Sequence, residues 1–334
     1  MAIVEVEYLL KKYADLTAVN RVSFEVRPGE IFGFLGPNGA GKTTTILMLT
    51  TLLKPSGGRA VVCGHDIERH PARVREAVGY VSQEIAVDEF LTGRENLWLH
   101  GKFYHMPSKE LERRIAEVAH MVDLTDRLQD LVGTYSGGMR KRLDIAEGLL
   151  HRPQLIFLDE PTLGLDIQTR RKIWDYIRQL RQEGLTVFLT THYMEEADQL
   201  CDRVAIIDRG ELKALDTPQT LKAKLGGDVI TVGLADSSEA ACQRARELFA
   251  GLDWVSRVEA HPQGLVLISR DGDATIPRLI QAASGSGLEI ASVTLKRPSL
   301  DDVFLTYTGH DLREEEGGAD AFRRMTRGVR QARR

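Results

Sequence analysis

The segment at residues 36–45, GPNGAGKTTT, constrains the fold of this chain more than any other part of the sequence. It fits the pattern G-x-x-x-x-G-K-[ST], in which a glycine-rich turn joins a strand to a helix. The apolar run at residues 31–35 precedes it and the apolar run at residues 46–49 follows it, so both flanking elements are present. Such a turn aims backbone N–H groups at phosphate oxygens, and the helix N-terminus adds partial positive charge. The sequence therefore predicts a nucleotide-binding loop in an α/β domain.

Within this loop we expect Lys42 to reach the β- and γ-phosphates of ATP and the Thr43 hydroxyl to bind Mg²⁺. The backbone and side chains of the loop would hold the remaining phosphate oxygens. The predicted phosphate-binding residues are Gly36, Asn38, Gly39, Ala40, Gly41, Lys42, Thr43 and Thr44.

Composition narrows the class of protein further. The chain has 334 residues, long enough for one full α/β domain and a smaller one. Its 44 basic and 48 acidic side chains give a formal charge of −4, so no positive excess favours a nucleic-acid partner and we expect none. The three cysteines are scattered and lack metal-binding spacing, as expected of reduced thiols in a cytoplasmic protein. We find no export signal and no apolar run of about 18 residues, so another polypeptide would supply any membrane spans.

The pattern of elements predicts two domains and a tail. Strand and helix signals alternate through residues 1–224, which favours a doubly wound, largely parallel sheet of the P-loop NTPase type. Residues from about 84 to 150 carry helical periodicity and predict a helical insertion. Residues 228–309 follow the order β-α-β-β-α-β, which predicts a small ferredoxin-like α+β domain. We expect the tail at residues 311–334, acidic and then rich in arginine, to be disordered.

An acidic pair closes the apolar strand at residues 155–158. A carboxylate at Asp159 would emerge beside the phosphates, where Mg²⁺ needs an oxygen ligand, and Glu160 could deprotonate the attacking water. His192, at the tip of the following strand, could contact the γ-phosphate or that water. Taken alone, an acidic pair at a strand end is more often a helix cap, and a lone loop histidine is usually inert. The position of the pair downstream of a phosphate loop favours the catalytic interpretation, whereas the assignment of His192 depends on the full set of motifs.

Six motifs in order resemble the nucleotide-binding domain of ABC transporters, over about residues 3–220. They lie at residues 36–44, Gln83, residues 135–140 (YSGGMR), residues 155–161, residues 163–166 and His192. The resemblance implies that Tyr13 stacks on adenine and that Gln83 contacts Mg²⁺ or water while sensing a transmembrane partner. It also implies that Asp159 supports the metal, that Glu160 is the catalytic base and that His192 is the switch.

The same resemblance implies a dimer. In this family Ser136, Gly137 and Gly138 open a helix whose positive end faces ATP held by a second subunit, and Asp166 signals across that interface. With one phosphate loop per chain, we expect two identical chains to close over two ATP molecules. Met139 stands where glutamine is commoner and cannot donate a hydrogen bond, so that one contact is open.

Two further stretches indicate the subfamily. YSGGMRKRLDIA at residues 135–146, with KRPSLDDVF at residues 296–304, resembles the daunorubicin-resistance type of drug-exporter ATPase. The resemblance implies a separate transmembrane permease, which would dock on residues 83 to about 105, and a cytoplasmic location on the inner face of the membrane. The small second domain is consistent with a dimer-stabilising or regulatory role, although its sequence shows no ligand chemistry.

Two other functions use the same ATPase domain. A soluble ABC ATPase of translation would carry two nucleotide domains in one chain, and one of DNA repair would carry long coiled coils. The sequence shows neither feature. A lipid-export or regulatory subunit is the other alternative.

Overall fold

A computed structural model describes residues 2–236, 238–261 and 264–308 of the chain. These residues form two compact units, divided between Thr217 and Pro218. The helix Pro218–Ala223, which the sequence pattern placed at the end of the first domain, packs against the helix Leu300–Thr308 of the second unit. The predicted tail at residues 311–334 lies outside the described residues.

The first unit contains two sheets. The strands of the antiparallel sheet are β1 (Val4–Tyr13), β2 (Leu16–Val26), β4 (Gly57–Val62) and β5 (His65–Asp66), in the order β2-β1-β4-β5. Those of the second sheet are β3 (Ile31–Leu35), β6 (Val78–Val81), β7 (Leu155–Asp159), β8 (Thr186–Thr191), β9 (Arg203–Asp208) and β10 (Glu211–Asp216). Their order is β10-β9-β3-β8-β7-β6, with every pair parallel except β10 and β9.

The central strands of the second sheet are continuously apolar because both of their faces are covered. Every residue of β3, β7 and β8 is buried, as expected for parallel strands between two layers. Phe188 of β8 lies at the centre of a cluster of rings, with centroid distances of 5.2–6.1 Å to its four neighbours. Those neighbours are Phe24, Phe32, Phe34 and Phe157. Since Phe24 belongs to the antiparallel sheet, the cluster joins the two sheets and fixes the strands that lead to the site.

The helices of the first unit comprise those of the central fold and those of the predicted insertion. The former are α1 (Lys42–Leu49), α2 (Pro71–Ala77), α6 (Ile167–Gln182) and α7 (Met194–Leu200). The insertion contains α3 (Gly93–Phe103), α4 (Ser108–Met121) and α5 (Gly137–Leu149), with single 3₁₀ turns at Thr125–Arg127 and Val132–Thr134. Thr92 and Glu95 form the capping box that the sequence predicts at the start of α3. The predicted helical insertion is confirmed.

The second unit is the predicted ferredoxin-like domain. Its elements are α8 (Pro218–Ala223), β11 (Asp228–Leu234), α9 (Glu239–Ala250), β12 (Arg257–His261), β13 (Gly264–Ser269), α10 (Gly272–Gly285), β14 (Ile290–Lys296) and α11 (Leu300–Thr308). The four strands are antiparallel in the order β12-β13-β11-β14, which is the split βαβ arrangement. Apolar side chains of β11, β13, α9 and α10 form its core. No helix in the described part of the chain is both long and apolar enough to cross a membrane.

One carboxyl group is buried within the helical insertion. Glu147 of α5 is 8% exposed, and its Oε2 lies 3.7 Å from Nδ1 of His100 on α3. Burial, followed by the nearby charge of Asp144, raises the pKa of Glu147 to about 8. Burial also lowers the pKa of His100, so the imidazole is a weak partner for a carboxylate. The folded chain therefore holds Glu147 protonated at neutral pH.

This burial predicts a pH-dependent stability that Glu147→Gln removes. Because the pKa is higher in the folded chain than in the unfolded one, the proton stabilises the fold at acidic pH, and this contribution is lost as the pH rises through about 8. Between about pH 5 and pH 8 the free energy of unfolding should fall by about 1 kcal/mol per pH unit relative to the glutamine variant. Urea unfolding followed by tryptophan fluorescence measures the difference. Glu110→Gln, on the exposed face of α4, is the control, and identical pH slopes for wild type and Glu147→Gln would contradict the assignment.

Candidate nucleotide-binding site

The glycine-rich loop turns tightly between β3 and α1. Gly41, at the N-cap of α1, has a φ of +103°, and a Cβ atom there would lie 2.5 Å from the carbonyl oxygen of Ala18. Only glycine combines this backbone conformation with so close a neighbour. The loop therefore begins where the apolar strand ends and delivers the next residue, Lys42, to the first turn of the helix.

Lys42 folds back over the loop that precedes it. Its Nζ donates to the carbonyl oxygens of Gly36 at 2.7 Å and Pro37 at 3.0 Å, and lies 3.1 Å from Oε1 of Glu160. The side chain is 4% exposed, and burial lowers its pKa despite the opposing charges of Glu160 and Asp159. The ammonium group thus lies among oxygen acceptors at the position predicted for the phosphates.

Glu160 is held by contacts on both sides. Its Oε2 lies 3.0 Å from Nδ1 of His192, while its backbone N–H donates to the carbonyl and hydroxyl oxygens of Thr190 at 3.2 and 3.0 Å. Its φ of +48° is uncommon for a residue with a side chain and typical of strained functional sites. Burial raises the pKa of Glu160, but His192 and Lys42 outweigh it and hold that pKa below its usual value. The structure thus brings together the three residues predicted to be catalytic.

Asp159 presents an oxygen suited to a metal ion. Its Oδ1 accepts from the Thr190 hydroxyl at 2.5 Å, and the nearby Thr43 side chain also favours the charged form of this carboxyl group. Its Oδ2 is buried and has no hydrogen-bond partner among the described residues, a costly state for a carboxylate. Burial raises the pKa of Asp159, and a divalent cation would oppose that shift. Thr43 and Asp159 therefore fit Mg²⁺, although the described ranges contain no group of three or more histidine, cysteine or acidic residues that could hold a metal alone.

The predicted adenine and sensor residues flank this cluster. Tyr13, at the end of β1, is 37% exposed, and burial raises its pKa although the nearby Thr44 side chain in the loop opposes that shift. Lys11 places its Nζ 5.0 Å from the centroid of the same ring. Gln83 is exposed just beyond β6, at the sheet edge where β7 and β8 also end. These positions agree with the predicted roles, which remain predictions.

The residues predicted to serve a second subunit form a separate group. Ser136 caps α5 by accepting the Met139 N–H at 3.3 Å, and it is exposed together with Gly137. Gly138 packs against α6, where a Cβ atom would lie 2.3 Å from Cγ2 of Thr169. Asp166 caps α6 and accepts from the Thr169 hydroxyl at 2.7 Å. The two caps are therefore held against each other, and the helix N-terminus at Ser136 faces solvent.

Thr190 was not predicted from the sequence. It bonds both Asp159 and Glu160 because the register of β7 and β8 places it directly opposite Asp159. Its position two residues before His192 is the only signal that the sequence carries, and the pairing partner is visible only in the sheet.

Comparison with known proteins finds a matching family model in each of the two units. The family model described as ABC transporter matches residues 19–163, and the model for the C-terminal domain of DrrA1-3-like ATP-binding proteins matches residues 217–308. The chain is 41% identical over 306 residues to the daunorubicin resistance ATP-binding protein DrrA3 of Streptomyces coeruleorubidus, covering 92% of this chain and 96% of that protein. It is 42% identical over 319 residues to the daunorubicin/doxorubicin resistance ATP-binding protein DrrA of Streptomyces peucetius, covering 95% and 96%.

A solved structure shares the fold of the first unit. The dimeric post-hydrolysis state of the ATP-binding cassette MJ0796 bound to ADP and Pi has a TM-score of 0.58 and 26% identity, covering 64% of this chain and 98% of that one. The fold and site thus define the ATP-binding cassette class, whose members bind and hydrolyse ATP. Within this class the chain belongs to the family of ABC transporter ATP-binding subunits that carry the DrrA-like C-terminal domain.

The contacts of Thr190 predict that Thr190→Val impairs hydrolysis. Valine keeps the shape of the side chain but removes the hydroxyl that donates to the Asp159 carboxylate and accepts the backbone N–H of Glu160. Loss of such a supporting group costs about 10-fold or more in activity. We expect kcat for ATP hydrolysis to fall by about 10-fold, with a smaller change in KM, in steady-state phosphate-release assays. Thr186→Val is the matched control, because Thr186 lies buried on the same strand and bonds the Gly29 N–H. Equal kcat values for the two variants would show that the Thr190 hydroxyl has no such role.

Proposed function

We propose that this chain powers the export of an amphiphilic, drug-like compound through a separate transmembrane permease, working as a homodimer with ATP and Mg²⁺. The proposal rests on sequence similarity to drug-resistance ATP-binding proteins, which extends over both units and more than nine tenths of the chain. The relatives do not favour the alternative of a soluble ATPase in translation or DNA repair.

The residues at the sheet edge supply one chain's half of the proposed hydrolytic site. Phosphate oxygens are stronger acceptors for Lys42 than the carbonyls of Gly36 and Pro37, so ATP would draw the ammonium group onto its β- and γ-phosphates. Withdrawal of this charge raises the proton affinity of Glu160, which then takes a proton from the attacking water. His192 holds the carboxylate through the contact at Nδ1. Mg²⁺ held by Thr43 and Asp159 would neutralise charge on the phosphates.

The second half of the site would come from the other subunit. The exposed N-terminus of α5 carries the Ser136 hydroxyl and partial positive charge, which suits the γ-phosphate of ATP bound to a partner chain. Asp166 is held against this helix through Thr169 and Gly138. A displacement of the helix in the dimer interface would therefore also move Asp166. A dimer in which each chain completes the other's site would therefore couple ATP binding to closure.

The permease would dock on the helical insertion. Large apolar side chains are exposed along the predicted docking stretch, and exposed apolar patches mark interaction surfaces in soluble proteins. They are Ile85, Phe90, Trp98, Leu99 and Phe103, of which Phe90 is 91% exposed. Contact with a permease at this surface would hold the chain on the inner face of the membrane.

This docking surface predicts the effect of Phe90→Asp. With the cognate permease in lipid vesicles, wild-type ATPase activity should rise when daunorubicin is added as the first probe. Since Phe90 is almost fully exposed, the variant should keep the basal activity of the isolated chain but lose most of this stimulation. Leu52→Asp, at an exposed leucine outside the insertion, is the control. Full stimulation of Phe90→Asp would exclude this surface, and wild-type activity indifferent to any permease would contradict the exporter function.

A further inference from the structure

A lysine and an aspartate form a buried ion pair on α5, just over one turn beyond the Ser136 cap. Lys141 Nζ lies 3.2 Å from Asp144 Oδ2, and the side chains are 4% and 5% exposed. Removing two charges from water costs free energy that their attraction seldom exceeds, so a buried pair is poorly explained by stability alone. The contacts that the pair makes outside its own helix indicate another role.

Lys141 binds the loop that carries Gln83, and Asp144 lies close to the same loop. Lys141 Nζ donates to the carbonyl oxygen of Ser82 at 2.7 Å. Burial raises the pKa of the Asp144 carboxyl group, whereas Lys141 and the nearby backbone N–H of Ala86 oppose that shift. Residues 83–86 are themselves exposed. The ion pair therefore holds the loop at Ser82 and leaves the neighbouring Gln83 exposed.

The loop and the helix belong to different parts of the first unit. The loop continues β6 at the edge of the parallel sheet, whereas α5 belongs to the helical insertion and carries Ser136 at its N-terminus. A helix is stiff over this length, so a displacement of the loop at Ser82 is passed to the cap through Lys141. The bond from Lys141 to Ser82, called the fastening below, thus joins the Gln83 loop to the Ser136 helix. Gln83 is predicted to face the chain's own nucleotide and Ser136 the nucleotide of the partner chain.

We propose that Lys141 and Asp144 are positioning residues for ATP hydrolysis, which hold the Gln83 loop and the Ser136 helix in one register so that the two move together. This inference rests on the proposed function, because it takes the roles of Gln83 and Ser136 from there. Other charged or titratable groups near Asp144 are Glu147, one turn further along α5, and Tyr80 on β6. Neither supplies the bond to Ser82.

Lys141→Met tests the fastening most directly, because methionine keeps an unbranched apolar side chain and removes the donors. We expect kcat for ATP hydrolysis to fall by about 10-fold and KM for ATP to change by less than about 2-fold, because the phosphate loop and Tyr13 are untouched. Hydrogen exchange measured by mass spectrometry without nucleotide should be about 10-fold faster in residues 83–88. Lys141→Arg, which retains donors for both partners, should recover most of the activity and of the protection.

Arg114→Met is the matched control, because it loosens the other end of the same helix. Arg114 donates to the carbonyl oxygens of Leu149 at 2.8 Å and Leu150 at 3.2 Å and does not bind the Gln83 loop. It should lower the melting temperature while keeping kcat and the exchange of residues 83–88 at wild-type values. If Arg114→Met lowers kcat as much as Lys141→Met does, the pair has only a structural role and the proposal is overturned.

Two more outcomes are decisive. If Lys141→Met fails to fold, Asp144→Asn replaces it, and wild-type kcat with wild-type exchange in either variant overturns the proposal. Ser136→Arg distinguishes a failure of the proposed function from a failure of the fastening. Unchanged ATPase activity in that variant contradicts the proposed function, whereas the exchange experiment tests the fastening without reference to nucleotide.

Discussion

The parallel pairing of β6, β7, β8 and β3 is the constraint on which the site depends. It brings four strand ends to one edge of the sheet, so that the phosphate loop, the acidic pair, His192 and Gln83 become neighbours although up to 156 positions separate them in the chain. At this edge Lys42 Nζ lies 3.1 Å from Oε1 of Glu160, and both side chains are nearly fully buried. Burying two charges costs desolvation free energy. Here the loop carbonyls accept hydrogen bonds from Lys42 and the imidazole of His192 contacts Glu160, and these contacts offset part of that free energy. The same charges lie where the proposed function places the phosphates and the attacking water.

The residues predicted to hold ATP and those predicted to meet a partner chain form two separate groups. Lys42 and Thr43 begin α1 and Glu160 directly follows β7, whereas Ser136 and Asp166 cap two helices packed against each other through Gly138 and Thr169. The capping hydroxyl of Ser136 is needed to begin its helix, and the exposed helix end is also an anion-binding feature. The same local interaction thus begins the helix and leaves its positive end exposed.

Much of this arrangement is predictable from the sequence because it is local. The phosphate loop, the acidic pair after an apolar strand and the capping box at Thr92 each depend on residues within one turn or one strand. The order of elements in the second unit likewise predicts its ferredoxin-like sheet. Thr190 and the Lys141–Asp144 pair were not predictable, because their partners are set by strand register and by the packing of the insertion on the sheet. The unit boundary falls at Thr217 because α8 packs on α11, some 80 residues away in the chain.

In the proposed dimer, each ATP is hydrolysed between a lysine of one chain and a serine of the other. Mixing Lys42→Met with Ser136→Arg tests it most directly, since each variant alone lacks one half of every site. In a mixed dimer one site regains both halves, so the mixture should recover about a quarter of wild-type ATPase activity if chains pair at random. Activity equal to the sum of the separate variants, with mixed dimers shown to form by native mass spectrometry, would contradict the account.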